Sequence, residues 1–187
     1  MNDRCTPAEY IAELKRQGRE ASTLTSGLTE SSLNWQPNPQ SWSIGQCLDH
    51  LVRTNEAALA AMRATVEDNL DELRPRLGMI QPAGWPSRRF IRAIGPDAKT
   101  KFLAPKRVVP ASRVSADVAT RFAEAQRAME QFVTEFRDAD LGGLRYPNPL
   151  LPVLRWTVDS GLLIIVHHNA RHLQQAERIK TRGGFPG

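Results

Sequence analysis

A chain of 187 residues, 41% hydrophobic and 24% charged, is long enough for one domain with a core of its own, spanning 1–187. Its longest apolar run, Leu162–Val166, is far too short to span a bilayer. The net charge of +5 comes mostly from scattered arginines, so it does not by itself imply a nucleic-acid partner.

The N-terminus, Met1-Asn2-Asp3-Arg4-Cys5-Thr6-Pro7, lacks the basic-then-apolar pattern of a secretion signal. Two cysteines do not make a disulfide framework. The expectation is a cytoplasmic protein with two free thiols, Cys5 near a mobile terminus and Cys47 within a helix.

Four long helices are predicted. The first starts after Thr6, with Pro7 at the first helical position and Glu9 completing a capping box. Tyr10, Ile11, Leu14, Ala21 and Leu24 follow helical spacing, and the segment ends near Gly27. A linker over 28–42 contains Pro37 and Pro39, which exclude a helix around them. The second helix starts at Ser43, where Gln46 completes another capping box, and runs to about Leu70 or Leu73.

Six prolines fall between Arg74 and Pro110, so regular structure is not expected over most of that stretch. It also holds the densest basic run: Arg88, Arg89, Arg92, Lys99, Lys101, Lys106 and Arg107. Without interleaved stacking aromatics it reads as a solvated loop, not a nucleic-acid patch. The third helix runs from near Ser115 to Phe136 with a stripe of Val118, Phe122, Ala125, Met129, Phe132 and Phe136. A second loop over 138–155 follows. The fourth helix begins near Trp156 or Thr157 and ends before Gly183, with a seam of Gly161, Ile165, His168, His172, Ala176 and Ile179. No strand pattern stands out. The predicted fold class is all-α, a four-helix bundle with a long proline-rich crossover between the second and third helices.

Three of the four histidines fit one constellation. His168 and His172 are one helical turn apart, on one face. His50 lies on the second helix among the mostly small neighbours Cys47, Thr54, Ala57 and Ala61. Three imidazoles facing a helical interior leave many polar atoms to satisfy unless they share a metal. A three-histidine site suits zinc, and also nickel, iron or manganese. His167 faces away from His168 and reads as a non-ligand that supports the site from behind. Glu56 and Asp159 are candidates to orient the ligands, and Asp49 faces away. Cys47 is either a fourth ligand or a small buried hydrophobe. Trp42 and Trp156 read as packing residues at the start of two helices. No general base stands out.

The stretch Trp42-Ser43-Ile44-Gly45-Gln46-Cys47-Leu48-Asp49-His50-Leu51 resembles the W-S-x-x-[EQ]-x-x-x-H-L opening of the second helix in the DinB-like family, which includes the YfiT-like metal-dependent hydrolases. His168-Asn169-Ala170-Arg171-His172-Leu173-Gln174-Gln175 resembles that family's H-x-x-x-H-x-x-Q motif, and Phe102-Leu103-Ala104-Pro105 is also similar to it. The resemblance implies an up-up-down-down bundle, often a homodimer. It also implies one divalent metal held by His50, His168 and His172. It further implies a catalytic chemistry of one of two kinds: hydrolysis, or transfer with a low-molecular-weight thiol onto a small electrophile. A metal-binding stress-response protein without turnover is the alternative. Neither a membrane nor a nucleic acid is the expected partner.

Overall fold

The computed structural model describes residues 4–99, 102–151 and 153–186. Four long helices carry most of it: α1 (Pro7–Thr25), α3 (Ile44–Glu67), α5 (Val118–Glu135) and α6 (Val158–Lys180). Two shorter helices, α2 (Glu30–Asn34) and α4 (Gly84–Ile94), sit in the connections. A small antiparallel pair, β1 (Arg145–Pro147) and β2 (Arg155–Thr157), places Tyr146 opposite Trp156.

Local chemistry sets the helix starts. Both predicted capping boxes form: Thr6 accepts from the Glu9 N–H, and Ser43 accepts from the Gln46 N–H. Each N3 side chain reaches back to the cap backbone, so two orphan N–H groups are satisfied at each end. Thr157 caps α6 through Ser160. The second predicted helix stops at Glu67, short of the expected Leu70–Leu73, and a 3-10 turn over Leu70–Glu72 follows.

Besides the short α2, which falls within the linker expected over 28–42, two elements depart from the sequence reading. The expected loop over 74–110 contains α4, in which Pro86 occupies the third helical position, where a missing N–H costs little. Pro82 and Pro96 flank the helix instead of interrupting it. Ser87, Ile91 and Ile94 are its buried side, while Trp85, Arg88, Arg89 and Arg92 are exposed. The helix therefore puts an aromatic among the arginines, which a loop reading leaves out of account. The hairpin is the second departure: its strands are three residues long, too short for an alternating pattern to show.

Helix α1 packs on α5 and α6, and α3 packs on the same two. The apolar core falls into two clusters. One gathers Tyr10 and Leu14 of α1, Met62 and Val66 of α3, Met129 and Phe132 of α5, and Leu162 and Val166 of α6. The other gathers Ala21 and Leu24, then Leu48 and Leu51, then Val118 and Phe122, and finally Leu173 and Ile179. Helices α1 and α6 thus run from the first cluster to the second, and α3 and α5 run back. The chain order of directions is up, down, down, up, which corrects the up-up-down-down expectation. The linker over 26–43 turns the chain back at the second cluster, whereas the 68–117 connection returns the length of the molecule, as the predicted crossover requires.

A layer of four buried amides lies between the clusters, one from each long helix: Gln17, Asn55, Gln126 and Asn169. Asn55 and Asn169 both donate to Gln126 Oε1, at 3.2 and 3.3 Å. Gln17 Oε1 accepts from Asn169 and Gln126, and Gln17 Nε2 reaches the Val166 carbonyl at 2.8 Å.

Candidate metal centre

Helix α3 enters the second cluster with Leu48 and Leu51 inward, which carries His50 between them into the interior. Helix α6 reaches the same end with Leu173 and Ala176 inward, which brings in His172. One turn earlier, His168 joins them. Ligand nitrogens of His50, His168 and His172 all lie within 4.8 Å of one another. Nε2 of His50 is 3.3 Å from Nε2 of His168.

Hydrogen bonds set the direction of two rings. The Val108 carbonyl can only accept, so His50 Nδ1 carries the proton in their 2.7 Å bond and Nε2 carries the lone pair. His172 Nδ1 likewise donates to Gln175 Oε1 at 2.9 Å, leaving its Nε2 lone pair free to coordinate. Among the described residues His168 has no such acceptor, and its Nδ1 is buried without a hydrogen-bond partner there.

The electrostatics favour neutral rings. Burial pushes the His50 pKa down, against smaller upward pulls from Val108 and Asp49. Burial pushes His172 to about 3, and the neighbouring His50 adds to the shift. His168 falls well below its ordinary value through burial and the charges of His172, His50 and Arg171. His168 keeps some exposed surface, but its Nδ1 is enclosed, so the direction agrees with the geometry. At neutral pH the three rings are unprotonated, the form in which imidazole binds a metal.

This donor set fits a divalent ion. Zinc–imidazole bonds of about 2.0–2.1 Å at a tetrahedral angle put two nitrogens about 3.3–3.4 Å apart. The 3.3 Å separation of the His50 and His168 nitrogens matches that edge.

The sequence profile of the DinB superfamily matches residues 13–176. The chain belongs to the DinB superfamily. It is also 26% identical over 159 residues to the uncharacterized protein YuaE of Bacillus subtilis (strain 168), covering 83% of this chain and 88% of YuaE. No solved structure matches. Among the described residues of this DinB-superfamily chain, no helix is long and apolar enough to cross a membrane.

Other candidates land elsewhere. Asp159 pairs with Arg76 through two bonds of 2.9 and 3.1 Å at the start of α6, and so orients no imidazole. Glu56 is exposed on α3. Cys47 is fully buried in the second cluster, and burial raises its thiol pKa; it is a small hydrophobe, outside the group of residues placed to share an ion. His167 likewise lies outside that group. Cys5 is buried, not at a loose end, and its backbone exchanges two hydrogen bonds with Ile80. Both cysteines are free thiols. Trp156 packs on Phe90, as a structural residue would.

Trp42 is the residue that sequence reasoning missed. Its ring stacks on His172 at 5.5 Å and 28° and lies 4.8 Å from His50. It directly precedes the cap of α3, so the Ser43–Gln46 capping box aims it across two of the three imidazoles. A cleft of about 570 Å³ lies between the C-terminal part of α3 and the hairpin, but its lining begins at Ala61, about three turns from His50, and contains no histidine.

Proposed function

We propose that this chain is a metal-dependent enzyme, a hydrolase or thiol S-transferase acting on a small electrophile, with His50, His168 and His172 as ligands of one divalent ion. The observation that carries the reading is the arrangement of lone pairs. Val108 and Gln175 take the outward protons of His50 and His172, so their Nε2 atoms are left to converge with His168. When bound, a divalent ion would supply a Lewis acid that makes water or a thiol nucleophilic near neutral pH.

The chain's own residues do the rest. The three imidazoles stay neutral because they are buried beside one another. Trp42 shields two of them on one side, which limits water there. Zinc and nickel suit the donor set best, with iron and manganese as alternatives. A single four-helix-bundle domain, a homodimer and a cytoplasmic location complete the proposal. They rest on the helical contacts, on the family and on the absence of a disulfide.

A metal-binding protein without turnover is the second reading. It is favoured by one observation: among the described residues, no carboxylate or thiol belongs to the histidine group. Elemental mass spectrometry of the purified protein, beside His168→Ala, tests the shared premise. About one equivalent of metal in the wild type, lost in the variant, supports the site. A wild type that refuses zinc, nickel and manganese on titration ends both readings. Screens with water and low-molecular-weight thiols against electrophiles then separate them, since turnover appears only under the first.

A further inference from the structure

We propose that Asp49 is a positioning residue for His50, acting through the segment 105–114 that straps across α3; its consequence for metal affinity rests on the reading above.

Asp49 and His50 follow Gln46 by three and four residues; Asp49 is turned about 100° from His50 around α3, yet each of the three bonds the strap. Gln46 Nε2 donates to the Ala111 carbonyl at 3.2 Å. The Ala111 N–H donates to Asp49 Oδ2 at 3.0 Å. His50 Nδ1 donates to the Val108 carbonyl at 2.7 Å. The far end is held by Asn34, whose side chain exchanges two 2.8 Å bonds with the Val114 backbone. Val108 and Val114 are buried anchors. Gly45 permits the close approach, because a Cβ there would lie 3.1 Å from Val114 Cβ.

The strap has little to hold it by itself. Pro105 and Pro110 donate no N–H, and the backbone bond within 105–110 runs from Val108 to Pro105. Its place therefore depends on side chains of α2 and α3. Asp49 is the firmest of these. Its carboxylate also accepts from Arg53 at 2.7 Å and Arg121 at 3.0 Å, which fixes it from both sides. Ala111 is three residues from Val108, so holding the Ala111 N–H holds the carbonyl that selects the His50 tautomer. Among the described residues no hydrogen bond joins Asp49 to an imidazole, so its influence runs through backbone.

The test pairs two readouts on the full chain: zinc affinity by competition with a chelator, and the imidazole 15N spectrum of the metal-free protein. Asp49→Ala is expected to weaken zinc by about 10- to 100-fold, as loss of a group that orients a ligand typically does. It should also convert His50 from a single Nδ1–H tautomer to a mixture. Asp49→Asn, which keeps an oxygen for Ala111, is expected to recover most of both. Asn34→Ala touches neither Asp49 nor a histidine, and it is expected to produce the same two changes at smaller size. If Asp49→Ala does not fold, the other two variants carry the test. A variant set with lower thermal midpoints but wild-type zinc affinity and an unchanged His50 spectrum overturns the proposal. If wild type binds no zinc, the metal reading falls and the spectrum alone decides: a mixed tautomer in the variants upholds positioning by Asp49, and an unchanged one overturns it.

Discussion

The four amides midway along the core come one from each long helix, whereas the three imidazoles at one end come from α3 and α6 alone, and the two groups satisfy their polar atoms differently. Gln126 and Gln17 each accept two bonds from within the layer, while Asn55 Oδ1 and Asn169 Oδ1 find no donor among the described residues. Two of the imidazoles, His50 and His172, find acceptors outside their group, at Val108 and Gln175, and the ligand nitrogens of all three lie within 4.8 Å of one another. Buried polar groups ordinarily close on themselves, because each unmet one costs about 1–3 kcal/mol. A cluster that closes outward and converges inward is arranged around something it does not itself supply.

That contrast can be broken by substitution. The largest effect is expected from His168→Ala: metal content should fall from about one equivalent to near zero while the fold persists, as circular dichroism would register. Gln126→Ala should do the reverse. It strands the Asn55 donor and takes one of two acceptors from the Asn169 amide, which keeps Gln17, so unfolding free energy should drop by about 2–3 kcal/mol in urea titrations, with metal affinity nearly intact. Equal losses of affinity in both variants would merge the two clusters into one.

Trp42→Ala sharpens the comparison from the solvent side. Removing the stacked ring exposes His172, whose pKa of about 3 reflects burial first, so that pKa should rise toward the ordinary imidazole range in NMR titration of the metal-free protein. An unmoved value would mean that Trp42 does not shield the site.

The smallest effect concerns acid stability. Burial alone would raise the Asp49 pKa; the Ala111 N–H and the Arg53 and Arg121 guanidiniums outweigh it and hold it below the ordinary carboxylate value. A group whose folded pKa is lowered contributes stability that is complete above its unfolded pKa of 3.8 and is lost as pH falls through the lower folded value. Stability of Asp49→Asn should therefore change less with pH below about 5 than that of the wild type. Parallel acid limbs would refute the assignment.

Much of this was legible in the sequence, for local reasons. Thr6, Glu9, Ser43 and Gln46 mark two helix starts because caps are contacts between residues three apart. His168 and His172 declare their shared face for the same reason. The hidden features depend on partners distant in sequence. Helix α4 is hidden because a proline count does not carry the position of each proline in a helical turn, and Pro86 falls in the first turn, where it is tolerated. The direction of α3 follows from which cluster its ends join, which spacing within one helix cannot report. The strap bonds His50 and Asp49 through backbone atoms, which carry no residue signature. Trp42 stands outside every helical stripe, so no periodicity marks its contact with two imidazoles.

The two cysteines have a practical consequence. Cys5 sits just before α1 with its thiol pKa raised by burial to about 12, and Cys47 lies sealed within the opposite cluster. Thiolate is the form that alkylating reagents attack, so neither reacts appreciably until its surroundings open. The chain thus carries a built-in clock at each end of its core. Rates of labelling at Cys5 and Cys47, followed separately by peptide mass spectrometry, would show which half loosens first, and whether added zinc slows only the half that holds the histidines.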